Sequence, residues 1–379
     1  MKILLVGEYS RLHNSLKEGL IKLGHKVTLI SSGDGLKQYP SDFLLTSRVK
    51  SSYILNKLNS YFIRFFKVDF IKKEYAYQLK KILPNLKGFD VVQFINEDAL
   101  YLDPKTSLTL YKQLIQQNKK AYLLSCGEDY TTISYFLNPK NGYSVLTPFL
   151  NEETTKERSS FSLKYISPSY KALHLFFKEH TNGVICSDID YHRAYIDCKN
   201  YLGLIPNPIN TDLFKNETLP DLDKIYIFHG INSSSKIKKG NIYFSEALVK
   251  IKQTYLDKVV IIEAQDLPYK TYIESYNKAH IVLDQTYSYD QGYNALEAMA
   301  KGKIVFTGAE KEWREFYKLK EDQVCINALP NTNYLVKKIN ELITNPNKIK
   351  SISKEAKDFI QKEHNYISIA KKYLDIWTN

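Results

Sequence analysis

The sequence predicts an α/β protein of two doubly wound domains, each a parallel sheet covered by helices. Short apolar runs alternate with amphipathic segments, the pattern of strand and helix in turn. The alternation occurs as two separate series, and the proline-rich stretch Ile205-Pro206-Asn207-Pro208-Ile209-Asn210 divides them. The length of 379 residues suits two domains.

In the first series, apolar runs at 3–6, 27–30, 91–94 and 121–124 read as strands, with amphipathic helices at 16–23 and 108–116. Ser15 and Glu18 have the spacing of a capping box at the first helix start. The second series places strands at 225–228, 259–262, 281–283, 304–306 and 324–326. Its helices fall at 243–251, 269–276 and 295–300, with a helical tail over 332–377. Pro206 and Pro208 remove backbone donors, so the stretch between the series reads as an interdomain hinge. The expected division is a first, acceptor-side domain at 1–205, a second domain at 206–365, and a closing helix at 366–379 that packs back on the first. Two such domains place the carboxyl ends of both sheets at one cleft, where ligands bind in open parallel sheets.

Composition narrows the function. Hydrophobic residues are 44% and charged residues 25%, ordinary globular usage, which excludes disordered, collagen-like and disulfide-scaffold classes. The net charge of +12 calls for an anionic partner: nucleic acid, an anionic membrane face or a phosphorylated small molecule. Cys126, Cys186, Cys198 and Cys325 are scattered without a CxxC pair, arguing for core thiols in a reducing compartment and against zinc. The opening apolar run is too short for a signal peptide, and no stretch is long enough to span a bilayer, so a cytoplasmic protein is expected. Helix-turn-helix, RRM and zinc-finger patterns are absent, and nucleic acid ranks low as a partner. A G-x-S-x-G elbow and a G-x-G-x-x-G loop are also absent, which disfavours hydrolases and dehydrogenases.

Four loops carry the chemistry. Strand 281–283 runs through Asp284, Gln285, Tyr289 and Asp290 into Gly292, where a helix begins with free N–H groups, an arrangement that binds phosphate. Glu297 inside that helix either accepts from a ribose diol or offsets the helix dipole; alone, the two readings are even. After strand 225–228 comes His229-Gly230-Ile-Asn-Ser-Ser-Ser-Lys236-Ile-Lys238-Lys239-Gly240, a loop whose lysines neutralise two phosphates or form a solvated turn. After strand 121–124 comes Ser125-Cys126-Gly127-Glu128-Asp129, and after the first strand Gly7-Glu8-Tyr9-Ser10-Arg11-Leu12-His13. Arg11 and His13 either meet an acceptor or are ordinary loop residues. The segment 57–81 combines Lys57, Arg64, Lys67, Lys72, Lys73, Lys80 and Lys81 with Tyr61, Phe62, Phe65, Phe66 and Phe70. A core-facing helix and a helix lying in an anionic membrane interface weigh about equally for it.

The stretch Gly292-Tyr-Asn-Ala-Leu-Glu297-Ala-Met-Ala-Lys-Gly-Lys-Ile-Val305 resembles the "G-L-P-x-L-E-A-M-A-x-G-x-P-V" segment of the "group 1" glycosyltransferases, family 4 of the GT-B fold. The loop ending Lys239-Gly240 resembles that family's "G-R-x(n)-K-G". Gly127 and Asp129 match its "H-G-x-D", with Cys126 at the His position, and 205–214 is similar to its "I-P-N-G-I-D" segment with Pro208 for Gly. The resemblance implies GT-B architecture, two Rossmann-like domains facing a central cleft, and transfer of a sugar from a nucleotide-diphosphate donor to a glycan or lipid-linked acceptor. It further implies retention of configuration without metal, in envelope or capsular polysaccharide synthesis. It assigns the donor to Gly230, Lys236, Lys239, the amides of Asn294, Ala295 and Leu296, and Glu297. The transferred sugar falls to Asp129 and Asp290, the latter the carboxylate nearest Tyr289, which stands where the family has its first Glu. Gly7, Arg11 and His13 are assigned to the acceptor side. No cofactor or metal is expected beyond the nucleotide sugar, and an anionic membrane at the inner face of the plasma membrane is a candidate partner. Two rivals are a noncatalytic GT-B binding subunit of a polysaccharide assembly and a GT-B nucleotide-sugar epimerase.

Overall fold

The structure, a computed structural model, describes residues 1–33, 39–216, 218–266 and 269–378. Strand β1 (Lys2–Val6) shows why the apolar runs become strands: Ile3, Leu4, Leu5 and Val6 are all fully buried, as in a parallel strand covered on both faces. The first half continues through α1 (Leu12–Lys22), β2 (Lys26–Ser31), β3 (Phe43–Leu44), α2 (Arg48–Ser51), α3 (Tyr53–Phe66), α4 (Phe70–Ile82), β4 (Val91–Phe94) and α5 (Pro104–Gln116). Then come β5 (Lys120–Ser125), α6 (Tyr130–Phe136), α7 (Thr147–Leu150), α8 (Ser160–Leu163), α9 (Pro168–His180), β6 (Val184–Cys186), α10 (Ile189–Tyr195) and β7 (Tyr201–Leu204). These strands pair in parallel in the order β3-β2-β1-β4-β5-β6-β7.

The second half runs β8 (Ile225–Ile231), α11 (Asn241–Thr254), β9 (Val259–Gln265), α12 (Tyr269–Asn277), β10 (Ile281–Leu283), α13 (Tyr293–Ala300), β11 (Ile304–Thr307), α14 (Lys311–Tyr317) and β12 (Ile326–Asn327). Its parallel sheet is ordered β12-β11-β10-β8-β9. Helices α15 (Thr332–Thr344), α16 (Pro346–Glu363) and α17 (Tyr366–Thr378) complete the chain. Strand order reverses between β1 and β4 in one sheet and between β8 and β10 in the other, and crevices open at such switch points.

Helix α17 leaves the second half and lies on α1, where Gly19 sits so close that a Cβ there would approach the Tyr366 carbonyl oxygen to 2.3 Å. Its end is held by Lys120, whose Nζ donates to the Trp377 carbonyl at 2.9 Å, with Tyr373 and Trp377 buried. The 205–210 connection is irregular but buried. Ile209 N–H donates to the His364 carbonyl at 2.7 Å, Tyr366 N–H to that of Ile209 at 3.0 Å, and His364 Nδ1 to the Asn207 carbonyl at 2.9 Å. The stretch read as a hinge is thus pinned at the junction of α16 and α17.

Two local readings change. Helix α1 starts at Leu12, after Arg11 in a left-handed conformation, and Ser15 does not cap it. Ser15 is buried and its hydroxyl meets that of Tyr293 at 2.7 Å, while Glu18 accepts from Arg11 at 2.7 Å and from Asn210 at 2.6 Å. Helix α3 is not core-facing. Asn59 is its only buried residue, while Tyr53, Ile54, Phe65 and Phe66 are 82%, 70%, 60% and 60% exposed.

Candidate functional site

A cavity of about 430 Å³ lies where the two switch points meet. The first half contributes Tyr9 and Ser10 after β1, Tyr101 after β4, Gly127 and Glu128 after β5, Phe161 and Tyr165, and Asp188, Asp190 and Tyr191 after β6. The second half contributes Lys238 and Lys239 after β8, and Asp284, Gln285, Tyr287, Gly292, Tyr293 and Asn294 after β10. Apart from Phe161 and Tyr165, which come from α8 and the helical turn after it, these residues follow the carboxyl ends of strands, as the winding requires.

Both cleft lysines are already held by carboxylates. Lys239 Nζ donates to Asp284 Oδ1 at 2.9 Å, and the other Asp284 oxygen accepts from Thr307 at 3.3 Å. Lys238 Nζ reaches across the cleft to Glu128 Oε1 at 3.2 Å, while Glu128 Oε2 is enclosed without a hydrogen-bond partner among the described residues. The backbone joins the two loops as well, since Thr286 N–H donates to the Lys239 carbonyl at 3.0 Å. Helix α13 opens on the cleft from Gly292, which lies at φ −70° and makes no side-chain cap. The Ala295 and Leu296 amides, expected to be free, both donate to the Gly292 carbonyl at 3.0 and 3.2 Å. At this helix start the Gly292, Tyr293 and Asn294 amides make no hydrogen bond among the described residues. Such a terminus, with two lysines beside it, suits an anion with several oxygens.

The walls are tied by reciprocal bonds between 188–190 and 288–290. Asp190 accepts from Ser288 Oγ at 2.6 Å, Tyr289 N–H at 3.0 Å and Asp290 N–H at 3.2 Å, and Asp290 Oδ2 accepts from Ile189 N–H at 2.8 Å. Burial pushes Asp290 up to about 7, backbone donors partly opposing it and Asp190 adding to it. Asp188 is also raised, by burial first and then by Asp190 and Asp290. Tyr289 takes no part in the cavity. Arg193 lies 3.6 Å over its ring and Tyr143 packs 4.9 Å away, so this ring fastens the two halves together.

Several expected site residues therefore have other tasks. Asp129 is fully buried: its carboxylate caps α6 through Thr132 N–H at 2.8 Å and accepts from Ser125 at 2.6 Å and Tyr195 at 3.0 Å. It lies outside the cavity lining, where its neighbour Glu128 stands instead. Asp290 is likewise enclosed by backbone donors. His13 is buried, with Nδ1 donating to the Gly7 carbonyl at 2.7 Å, and burial lowers it to about 3, so it is a neutral structural imidazole. Gly7 is required by packing: at φ +91° a Cβ would lie 2.4 Å from Ile95 Cγ2 and 2.7 Å from the Ala99 carbonyl oxygen. Arg11 pairs with Glu18, and Tyr9 and Ser10 face the cleft in its place. Gly230 lies inside β8 opposite Ala264. Glu297 is half-buried one turn along α13, outside the cavity lining. Lys236 is exposed and lines neighbouring cavities, leaving Lys238 as the second cleft cation. Glu128, Asp188 and Asp190 were missed as site residues, and the signal available was that each closely follows a buried strand; Lys238 was named only as one of the lysines of its loop.

Two doubly wound halves that meet at their switch points define the GT-B fold. Residues 240–375 match a family model described as glycosyl transferase-like. Along its length the chain is similar to sucrose-phosphate synthase from Thermosynechococcus elongatus, with 14% identity and TM-score 0.59, covering 100% of this chain and 98% of that one. It is similar to Anabaena HepE in complex with UDP and glucose, with 13% identity and TM-score 0.59 over 100% and 99%. A glycosyltransferase from Rickettsia africae shows 16% identity and TM-score 0.52 over 99% and 97%. No curated protein sequence matches the chain. The fold is GT-B, with two Rossmann-like domains.

Proposed function

We propose that the protein is a glycosyltransferase that moves a sugar from a nucleotide-diphosphate donor to a glycan or lipid-linked acceptor. The observation that carries this reading is the cleft itself: Lys239 and Lys238, each held by a displaceable carboxylate, stand beside the open start of α13. The donor diphosphate takes Lys239 from Asp284 and Lys238 from Glu128, and accepts from the Tyr293 and Asn294 amides. Glu297 holds the ribose. Fixed positive charge on the leaving diphosphate stabilises the transition state as the sugar–oxygen bond breaks, the work a metal does in other transferases. Freed from Lys238, Glu128 accepts hydroxyl hydrogen bonds from the transferred sugar. Retention, metal independence and a role in envelope or capsular polysaccharide synthesis complete the reading.

The exposed rings of α3, with Lys57 and Arg64 on the same helix, suit an anionic membrane surface, where the acceptor is anchored. Among the described residues no helix is long and apolar enough to cross a membrane.

The test is a thermal-shift screen against UDP, GDP, ADP and CMP and their sugars, first without metal and then with magnesium. Because a HepE structure holds UDP, UDP is the first candidate. A metal-independent rise with one nucleotide is expected. No shift with any of them refutes the reading. Binding without transfer favours a noncatalytic subunit, and conversion of the donor without acceptor favours an epimerase.

A further inference from the structure

Lys236 belongs to a different part of the surface. Two further cavities, of about 410 and 510 Å³, adjoin the loop after β8 and share Arg158, Lys236 and Ile237. The smaller shares Val145 and Lys238 with the central cleft, and the larger shares Tyr287 with it. They form a side groove whose inner end is the lysine that reaches the cleft.

The cations here differ from those of the cleft. Lys239 and Lys238 have carboxylate partners, whereas neither Arg158 nor Lys236 forms an ion pair among the described residues. The acid that feels Lys236, Asp266, is occupied by the backbone N–H and hydroxyl of Ser233. Among the described residues Glu153 is the one carboxylate lining the groove. Ser159 and Ser162 line the smaller cavity, and Thr154 Oγ1 in its wall is enclosed without a partner among the described residues, while the hydroxyls of Ser233 and Ser234 already donate to Asp266 and Asn232. Two cations without ion pairs among the described residues, set beside the hydroxyls of Ser159, Ser162 and Thr154, match the oxygens of a phosphate.

We propose that this side groove is a phosphate subsite for the acceptor, so that the acceptor carries a phosphate group close to the hydroxyl being glycosylated. The proposal rests on the transferase reading: Lys239 serves the donor while Arg158 and Lys236 serve the acceptor, with Lys238 between them.

The test titrates the UDP-saturated protein with glycerol 3-phosphate and, separately, with phosphatidic acid vesicles, following binding by calorimetry and sedimentation. The expected result is that glycerol phosphate binds without displacing UDP and that Arg158→Gln/Lys236→Gln weakens it at least tenfold. The UDP affinity of that variant should stay within twofold, which also shows that it is folded. Competition with UDP, or unchanged binding in the double variant, overturns the proposal. Vesicle binding lost in the double variant without any soluble ester binding also overturns it, making the groove a lipid-headgroup contact. If UDP fails to bind, the transferase reading fails, while the effect of the double variant on glycerol phosphate remains readable by itself.

Discussion

Gly240 is the point where the two donor-side loops press together, and Gly240→Ala tests whether that contact shapes the cleft. The residue follows Lys239, at φ +66° and ψ 32°. A Cβ there would lie 2.0 Å from Thr286 Oγ1, 3.2 Å from Tyr287 Cε2 and 3.3 Å from Thr286 Cβ. The left-handed conformation costs an alanine about 1–2 kcal/mol. Crowding a packed site adds about 1–3 kcal/mol, so the variant should lose roughly 2–5 kcal/mol in urea unfolding. The clash is with one hydroxyl, and that hydroxyl is buried without a hydrogen-bond partner. Thr286→Ala therefore removes the obstacle and by itself costs only about 1 kcal/mol for the lost methyl. In Gly240→Ala/Thr286→Ala the steric part disappears and the conformational part stays, giving a coupling of about 1–3 kcal/mol in favour of the pair. UDP affinity should fall at least tenfold in Gly240→Ala, because the displaced loop carries Asp284 and Tyr287, and return to within threefold in the double variant. Additive stabilities, or an unchanged UDP affinity in Gly240→Ala, would refute the argument.

Lys239→Ala and Glu297→Ala should each lower sugar transfer at least tenfold, as loss of a charge-assisted hydrogen bond worth about 1.5–3 kcal/mol requires; undiminished turnover in both sinks the donor assignment. Asp290, raised to about 7 from an ordinary 3.8, keeps a proton in the folded state that the unfolded chain releases. Stability from this group is therefore highest below about pH 4 and falls as pH rises towards 7. Asp290→Asn should flatten the difference in denaturant midpoint between pH 5 and pH 7.5 relative to the parent, and an unchanged pH slope would count against it. Phe65→Ser/Phe66→Ser should weaken binding to anionic vesicles at least tenfold while moving the urea midpoint little, since both rings are solvent-facing; equal binding to neutral vesicles would remove the charge argument.

Most strands buried on both faces were legible because they read as unbroken apolar runs, as in β1 and β10, although the equally buried β6 was not read as a strand. The edge strands β3 and β7 were not legible: β3 has two residues, and Tyr201–Leu204 is half-buried with Gly203 inside it. The first helix start misled because Ser15 and Glu18 have capping spacing, yet that hydroxyl meets Tyr293 from the distant half, a partner that spacing cannot reveal. In the site, Lys239 and Asn294 were assigned through the resemblance of their two segments to the family's. Which of two adjacent acids faces the cleft was not legible. Glu128 and Asp129 differ only in the turn of the backbone at an N-cap, which sends Asp129 into α6 and leaves Glu128 outside. The same applies to Lys236 and Lys238 in the loop after β8. The Asp190–Asp290 contact joins residues 100 apart in the chain and has no local signature.

The return of α17 onto α1 sets an order of events during synthesis. The first sheet comprises residues 2–204, yet Ile369, Ala370, Tyr373 and Trp377 belong to the core that contains Leu16 and Tyr122. A nascent chain that has built all seven strands still presents a bare apolar surface on that side until residues 366–378 have emerged. Domains generally fold as they leave the ribosome, and transiently exposed apolar surface is where aggregation begins. The second half must therefore be made while the first waits unfinished, and truncation before residue 366 would damage the half that was synthesised earliest.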